Sequence, residues 1–114
     1  MKLPNASAAR VDFEKVRAYL LSETHPVGRA KAAFFGRLGF SADRPDELVA
    51  ALLRIARSNE VVTQTITRYG SKYVLDGLIE GSQGSAQVRT VWILERNTVA
   101  PRLVTAYAAP EGGT

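Results

Sequence analysis

The chain has no cysteine and a single histidine in 114 residues. Without cysteine there is no disulfide, no thiolate nucleophile and no cysteine zinc site, and the redox compartment stays undetermined. One histidine excludes a histidine-rich metal centre and a two-histidine acid–base pair within one chain, so no metal and no cofactor is expected. No apolar run approaches the ~20 residues that span a bilayer. The first residues, Met1-Lys2-Leu3-Pro4-Asn5-Ala6, lack the apolar segment of a secretory signal. The expectation is a cytoplasmic product, or a fragment delivered by something larger, with no membrane contact.

What is present suits one globular domain. Hydrophobic residues make up 46% of the chain, enough for a core. The net charge is +4. Arginine dominates it, and guanidinium suits bidentate contact with phosphate. A mildly basic domain is compatible with nucleic acid, although many small domains carry a few extra arginines and bind none.

Hydrophobic periodicity divides the chain into a helical half, 11–59, and a sheet half, 61–108. Asp12 is placed to cap a helix carrying Phe13, Val16 and Leu20 and ending near Ser22. A second helix starts at Gly28 or Arg29, carries Ala30, Ala33, Phe34 and Leu38, and stops at Gly39 in the C′ position. A third opens with Pro45, Asp46 and Glu47 and lines one face with Leu48, Leu52, Ile55 and Ala56. Beyond Glu60 the period becomes alternating. Strands are expected at Val61 to Tyr69, Lys72 to Ile79, Ser85 to Leu94 and Arg102 to Ala108. Turns are expected at Gly70-Ser71 and Gly81-Ser82-Gln83-Gly84, with a longer connection from Glu95 to Pro101. The predicted fold class is α+β: three N-terminal helices packed on one face of a four-stranded antiparallel meander sheet. It forms a single domain over 1–109, with 110–114 as a frayed tail.

Strand parity assigns the faces. Tyr73, Leu75 and Ile79, then Val88, Thr90, Trp92 and Leu94, then Leu103, Thr105 and Tyr107 are directed at the helices. The opposite parity gathers Lys72, Asp76, Gln87, Arg89 and Arg102 on an open face, joined by Thr63, Thr65 and Thr67. That face also carries Val74, Leu78, Val91, Ile93, Val104 and Ala106. It is either a shallow phosphate-binding surface with two central arginines or a solvated sheet with a cross-strand ion pair among Asp76, Arg89 and Arg102. Its apolar share invites a partner.

The stretch His25-Pro26-Val27-Gly28-Arg29-Ala30-Lys31 holds the one side chain suited to proton exchange near neutral pH. Pro26 pushes His25 out of helical geometry. Gly28 allows close approach of a ligand, the N–H groups opening the second helix favour an anion, and Lys31 adds charge. Together these read as a phosphate site beside a titratable group; the alternative is a helix-entry loop with His25 hydrogen-bonded to backbone. A metal-independent ribonuclease needs a base for the ribose 2′-hydroxyl, an acid for the leaving 5′-oxygen, and cations for the charge on phosphorus. His25 fits base or acid, and Lys31, Arg89 and Arg102 fit the cations. Tyr107 or Thr90 would supply a hydroxyl, yet parity turns both toward the helices.

Several segments carry a resemblance. They are Met1-Lys2-Leu3-Pro4-Asn5-Ala6; His25-Pro26-Val27-Gly28 with Lys31-Ala32 and Phe35; Tyr69-Gly70 with Tyr73 and Asp76; Val88-Arg89-Thr90 with Trp92-Ile93; and Pro101-Arg102-Leu103 with Thr105 and Tyr107. Through them the chain resembles a small family of bacterial domains, similar in turn to the C-terminal RNase modules of polymorphic and contact-dependent toxins. Those modules belong to the barnase–EndoU–colicin–RelE group and place helices ahead of a four-stranded antiparallel sheet. The resemblance implies an RNase-like toxin domain that cleaves RNA, tRNA among the candidates, with His25 as general acid/base. It implies His25, Lys31, Arg89, Thr90, Arg102, Thr105 and Tyr107 as site residues. The chain departs from the usual pattern at Gly81-Ser82-Gln83-Gly84, where Gly-Pro-Asn-Gly is more common, and at Ala30, where a polar residue commonly sits. The chain reads as complete without a delivery region, so a cognate inhibitor or antitoxin protein is the expected partner. The alternatives are a non-catalytic partner subunit of a two-gene cassette, a small homodimer, or an RNA-binding module. The last is weakened by the lack of aromatic residues among the basic ones in the strands.

Overall fold

A computed structural model describes residues 1–22, 24–26 and 28–110 of the protein. A 3-10 turn, Ala6–Ala8, precedes α1 (Phe13–Lys15), which runs on as one π-helical turn over Val16–Leu20. Then come α2 (Arg29–Arg37), α3 (Pro45–Ser58), β1 (Val61–Thr67), β2 (Gly70–Gly81), β3 (Gly84–Glu95) and β4 (Arg102–Ala108). The strands form one antiparallel sheet in the order β1-β2-β3-β4. The α+β meander read from the sequence is therefore the fold observed. Of the tail expected to fray, all but Pro110 lies outside the described residues.

Local chemistry explains the boundaries. Asp12 caps α1, its Oδ1 accepting the Glu14 N–H at 2.8 Å. α2 closes in a Schellman motif, with Phe40 N–H donating to Phe35 O at 3.1 Å and Gly39 N–H to Gly36 O at 3.0 Å. The Phe35 and Phe40 rings pack edge to face across that motif, 6.5 Å apart. Gly39 has φ +103°, and a Cβ there would lie 2.3 Å from Ser82 Oγ, so both backbone and space demand glycine. Pro45 stands in the first turn of α3 with Asp46 and Glu47, and Leu48, Leu52, Ile55 and Ala56 are buried beneath it. One turn is displaced from expectation. The first hairpin reverses at Arg68-Tyr69, and Gly70 already pairs with Thr67 as the start of β2. The Thr67 hydroxyl closes that reversal, donating to Gly70 O at 2.8 Å and accepting the Tyr69 N–H at 3.2 Å.

The core lies between the helices and one face of the sheet. Tyr73, Leu75, Ile79, Val88, Trp92 and Leu103 are buried there. The Trp92 indole N–H donates to Thr90 Oγ1 at 2.8 Å, and that hydroxyl donates to Leu75 O at 2.9 Å. Thr90 thus satisfies the one polar atom of the largest buried side chain.

β4 breaks the expected parity. Val91 stands opposite Thr105 while Trp92 stands opposite Leu103, so Val104 is an extra residue, taken up as a β-bulge. Leu103 keeps its place against the helices. Thr105 and Tyr107, expected beside it, instead share the open face with Val91 and Arg89. Ala106, expected on the open face, is fully buried opposite Thr90. Alternation through a strand holds only where every residue has a partner, and here one does not.

Replacing Thr90 by Val removes the acceptor of the Trp92 N–H and the donor to Leu75 O at nearly constant volume. Urea unfolding should show a loss of about 1–3 kcal/mol with the far-UV spectrum preserved, the cost of stranded buried polar groups.

Candidate functional site

His25 is bound into the entry of α2. Gly28 N–H donates to His25 Nδ1 at 3.0 Å, Arg29 N–H donates to His25 O at 3.0 Å, and His25 N–H donates to Ser22 Oγ at 3.2 Å. The side chain accepts the N–H three residues on, and the carbonyl accepts the one four residues on. His25 therefore caps the turn that leads into α2, with Pro26 in the first position after it. The helix-entry reading of this stretch is the one that forms. The N–H groups of Gly28 and Arg29, expected to be open to an anion, are engaged by His25 itself. Gly28 is required by close approach, but of the chain to itself: a Cβ there would lie 2.1 Å from Tyr19 O. With Nδ1 accepting, the neutral ring carries its proton on Nε2.

Four side chains from the α1 region, the loop and α2 converge around that contact. The Tyr19 ring lies 5.0 Å from the His25 ring, tilted by 51°. Lys31 Nζ stands 5.3 Å from the Tyr19 centroid and Lys15 Nζ 5.7 Å, both within reach of a cation–π interaction. All four residues are partly buried. Lys15 is held in place by a hydrogen bond to Val104 O at 3.0 Å, the carbonyl of the bulged residue. Tyr19 sits in the π turn, where Leu21 N–H reaches back to Val16 O at 2.8 Å; such turns recur at functional sites. Sequence reasoning named His25 and Lys31 and missed Lys15 and Tyr19. Their signal was present, since residues four apart share a helix face, and this pair lies off the buried Val16–Leu20 stripe.

The remaining expected residues lie elsewhere. Arg89 forms a two-pronged pair with Asp76 across β2 and β3, at 2.8 and 2.9 Å. The hydrogen bonds to Asp76 raise the guanidinium above its ordinary range against the opposing effect of burial, and the adjacent Tyr107 hydroxyl adds to the rise. Arg102 pairs instead with Glu95, at 2.7 Å. Arg89 stands opposite Tyr107 and Arg102 opposite Ile93, four residues apart along β3, or about 13 Å along the strand. The two arginines do not form the central pair expected of the open face, and each is matched by its own carboxylate. Thr105 Oγ1 is buried without a hydrogen-bond partner. Thr90 belongs to the core. Among the described residues no group of acidic or histidine side chains is arranged to hold a metal ion, and no helix is long and apolar enough to cross a membrane.

The chain belongs to the DUF6883 family, a domain of unknown function, whose model matches residues 2–110. Its fold is similar to that of a chain in a contact-dependent growth inhibition toxin–immunity protein complex from Klebsiella pneumoniae 342. The TM-score is 0.70 at 18% identity, over 93% of this chain and 97% of that one. At that identity the likeness is one of fold. No curated protein matches the sequence.

Replacing Gly28 by Ala drives a methyl into a backbone oxygen that cannot yield without opening the contact between loop and π turn. Chemical denaturation should report a loss of about 1–3 kcal/mol, against about 1 kcal/mol for His25→Ala, which removes only the capping acceptor.

Proposed function

We propose that this protein is an RNase-like toxin domain that holds an RNA phosphate at Lys15 and Lys31 and cleaves the chain without a metal. The observation that carries the reading is two ammonium groups held around one tyrosine ring, beside the chain's single histidine. The structural relative belongs to a toxin–immunity complex, which supports a place in such a system and a protein inhibitor as partner. Lys15 is anchored by Val104 O, so its charge is preorganised rather than free to swing, and fixed charge is what stabilises a developing phosphorane. With His25 Nδ1 accepting the Gly28 N–H, the neutral ring carries its proton on Nε2. Acting as a base there would require the ring proton to move to Nδ1, face to face with the Gly28 N–H. Protonating the leaving 5′-oxygen needs the imidazolium, whose second proton would likewise sit on Nδ1 against the Gly28 N–H. Either proton-transfer role for His25 therefore requires that contact to open, whereas a hydrogen bond to a phosphate oxygen does not. Tyr19 adds a hydroxyl to the same cluster. Arg89, Thr105 and Tyr107 lie together on the open sheet face, but Arg89 is already matched by Asp76 and the Thr105 hydroxyl is buried, so Tyr107 alone adds a further polar contact for the RNA backbone.

A second reading, a non-catalytic partner-binding protein, draws on that same sheet face. Leu78 is 51% exposed there among partly buried Val74, Val91 and Ile93, and Arg89 and Arg102 are both neutralised within the chain.

Purified protein mixed with total tRNA in EDTA should cleave it, and Lys15→Ala and Lys31→Ala should each lower the rate about 100-fold, the scale for loss of one charge-stabilising group. His25→Asn keeps a capping side chain but not the imidazole, so its rate should fall while its stability holds. Intact tRNA with the unmodified protein across varied conditions removes the enzyme reading and leaves partner binding.

A further inference from the structure

A groove of about 460 Å3 opens between the start of α1 and β4, with Arg10, Phe13, Lys15 and Arg102 among its walls. That volume falls in the ~300–1,000 Å3 range of clefts that take small ligands. Phe13 is 53% exposed, whereas Val16 and Leu20 on the same helical run are fully buried. Its ring is a free apolar surface in the wall of the groove rather than part of the core. The carboxylates of the groove are engaged: Asp12 caps α1, and Glu14 receives Arg17 Nη2 at 2.8 and 2.9 Å. Arg102 is matched by Glu95. Arg10 joins the sheet through its backbone, to Pro101 O and from Leu103 N–H, and its exposed guanidinium makes no ion pair among the described residues. Lys15 lines the groove and also flanks Tyr19, so the groove is continuous with the cluster described above.

We propose that this groove seats one unpaired nucleotide next to the phosphate held by Lys15 and Lys31, its base stacked on Phe13 and its own phosphate at Arg10. Single-stranded RNA is then the substrate class. The inference rests on reading the Lys15–Tyr19–Lys31 cluster as a phosphate site. A base inside a duplex has both faces covered by its neighbours and offers none to Phe13, whereas an unpaired base stacks readily on an exposed ring. Cation and aromatic side by side, with the local carboxylates already engaged, match a nucleotide in both charge and shape.

The test is fluorescence anisotropy on the full chain with a 2′-O-methyl oligonucleotide, which lacks the attacking hydroxyl and stays intact. Phe13→Ala should weaken single-strand binding about tenfold or more. Phe13→Leu should fall with it, Phe13→Trp should bind as the unmodified protein does, and a duplex of the same sequence should be indifferent to all three. Arg10→Ala should lower the slope of log affinity against log salt by about 0.7, the single-strand value for one phosphate contact. Phe13 lies outside the core, so none of these variants removes a core contact, and Phe13→Trp, which keeps binding, serves as the control for folding. The proposal is overturned if Phe13→Ala or Phe13→Leu binds as well as the unmodified chain, if duplex is preferred, or if the oligonucleotide does not bind at all, the result expected of a protein-binding groove. Failure of the catalytic reading is a separate result: Phe13-dependent binding would persist while tRNA stays intact.

Discussion

Val104 occupies a position in β4 that has no partner in β3, and much of the polar geometry of the molecule follows from that one unpaired residue. Its carbonyl accepts Lys15 Nζ and so ties the α1 region to the sheet edge. The same insertion rotates the rest of the strand, which brings Tyr107 beside Arg89 and turns Ala106 inward against Thr90. A bulge is tolerated because the core on the other side is continuous: Leu103 still meets Trp92, and Thr90 still satisfies the indole. The hydrophobic contacts hold the sheet together across the irregularity, and the irregularity decides which hydroxyls and cations can meet.

His25 illustrates how a capping role constrains the chemistry a side chain can offer. A histidine that accepts a backbone N–H is oriented as firmly as a second residue would orient it, and the bond selects one tautomer. The cost is that Nδ1 is no longer available. The loop is pressed onto the π turn because Gly28 has no side chain, and that contact places the imidazole against Tyr19 and both rings near Lys31. Phosphate binding here would depend on lysine side chains fixed by packing and by one carbonyl, not on open N–H groups at a helix start.

Much of the fold was legible because it rests on local rules. Asp12 as a cap, Gly39 as a helix stop, Pro45 with its acidic neighbours, and the change from helical to alternating period after Glu60 each follow from a few adjacent residues. The first hairpin was misplaced by two residues because Gly70 looked like the turn, while the Thr67 hydroxyl was closing it earlier. The candidate site was half legible. His25 and Lys31 lie in one conspicuous stretch, whereas Lys15 and Tyr19 look like the ordinary polar face of a short helix. Arg89 and Arg102 share a parity and so suggested a cluster, but register separates them along β3 and hands each a different carboxylate.

Composition and periodicity by themselves determined the class of fold, the order of its elements, most of the inward-facing residues, and the exclusion of cysteine chemistry. These depend on spacing along the chain, which is fixed before folding. Which side of the sheet Thr105 and Tyr107 face, what the loop at Gly28 packs against, and which lysines meet around Tyr19 were decided only by tertiary structure. Each depends on an event with no local signature: an unpaired residue absorbed by a strand, a glycine pressed against a carbonyl from a neighbouring turn, and a side chain reaching a backbone oxygen 89 residues away.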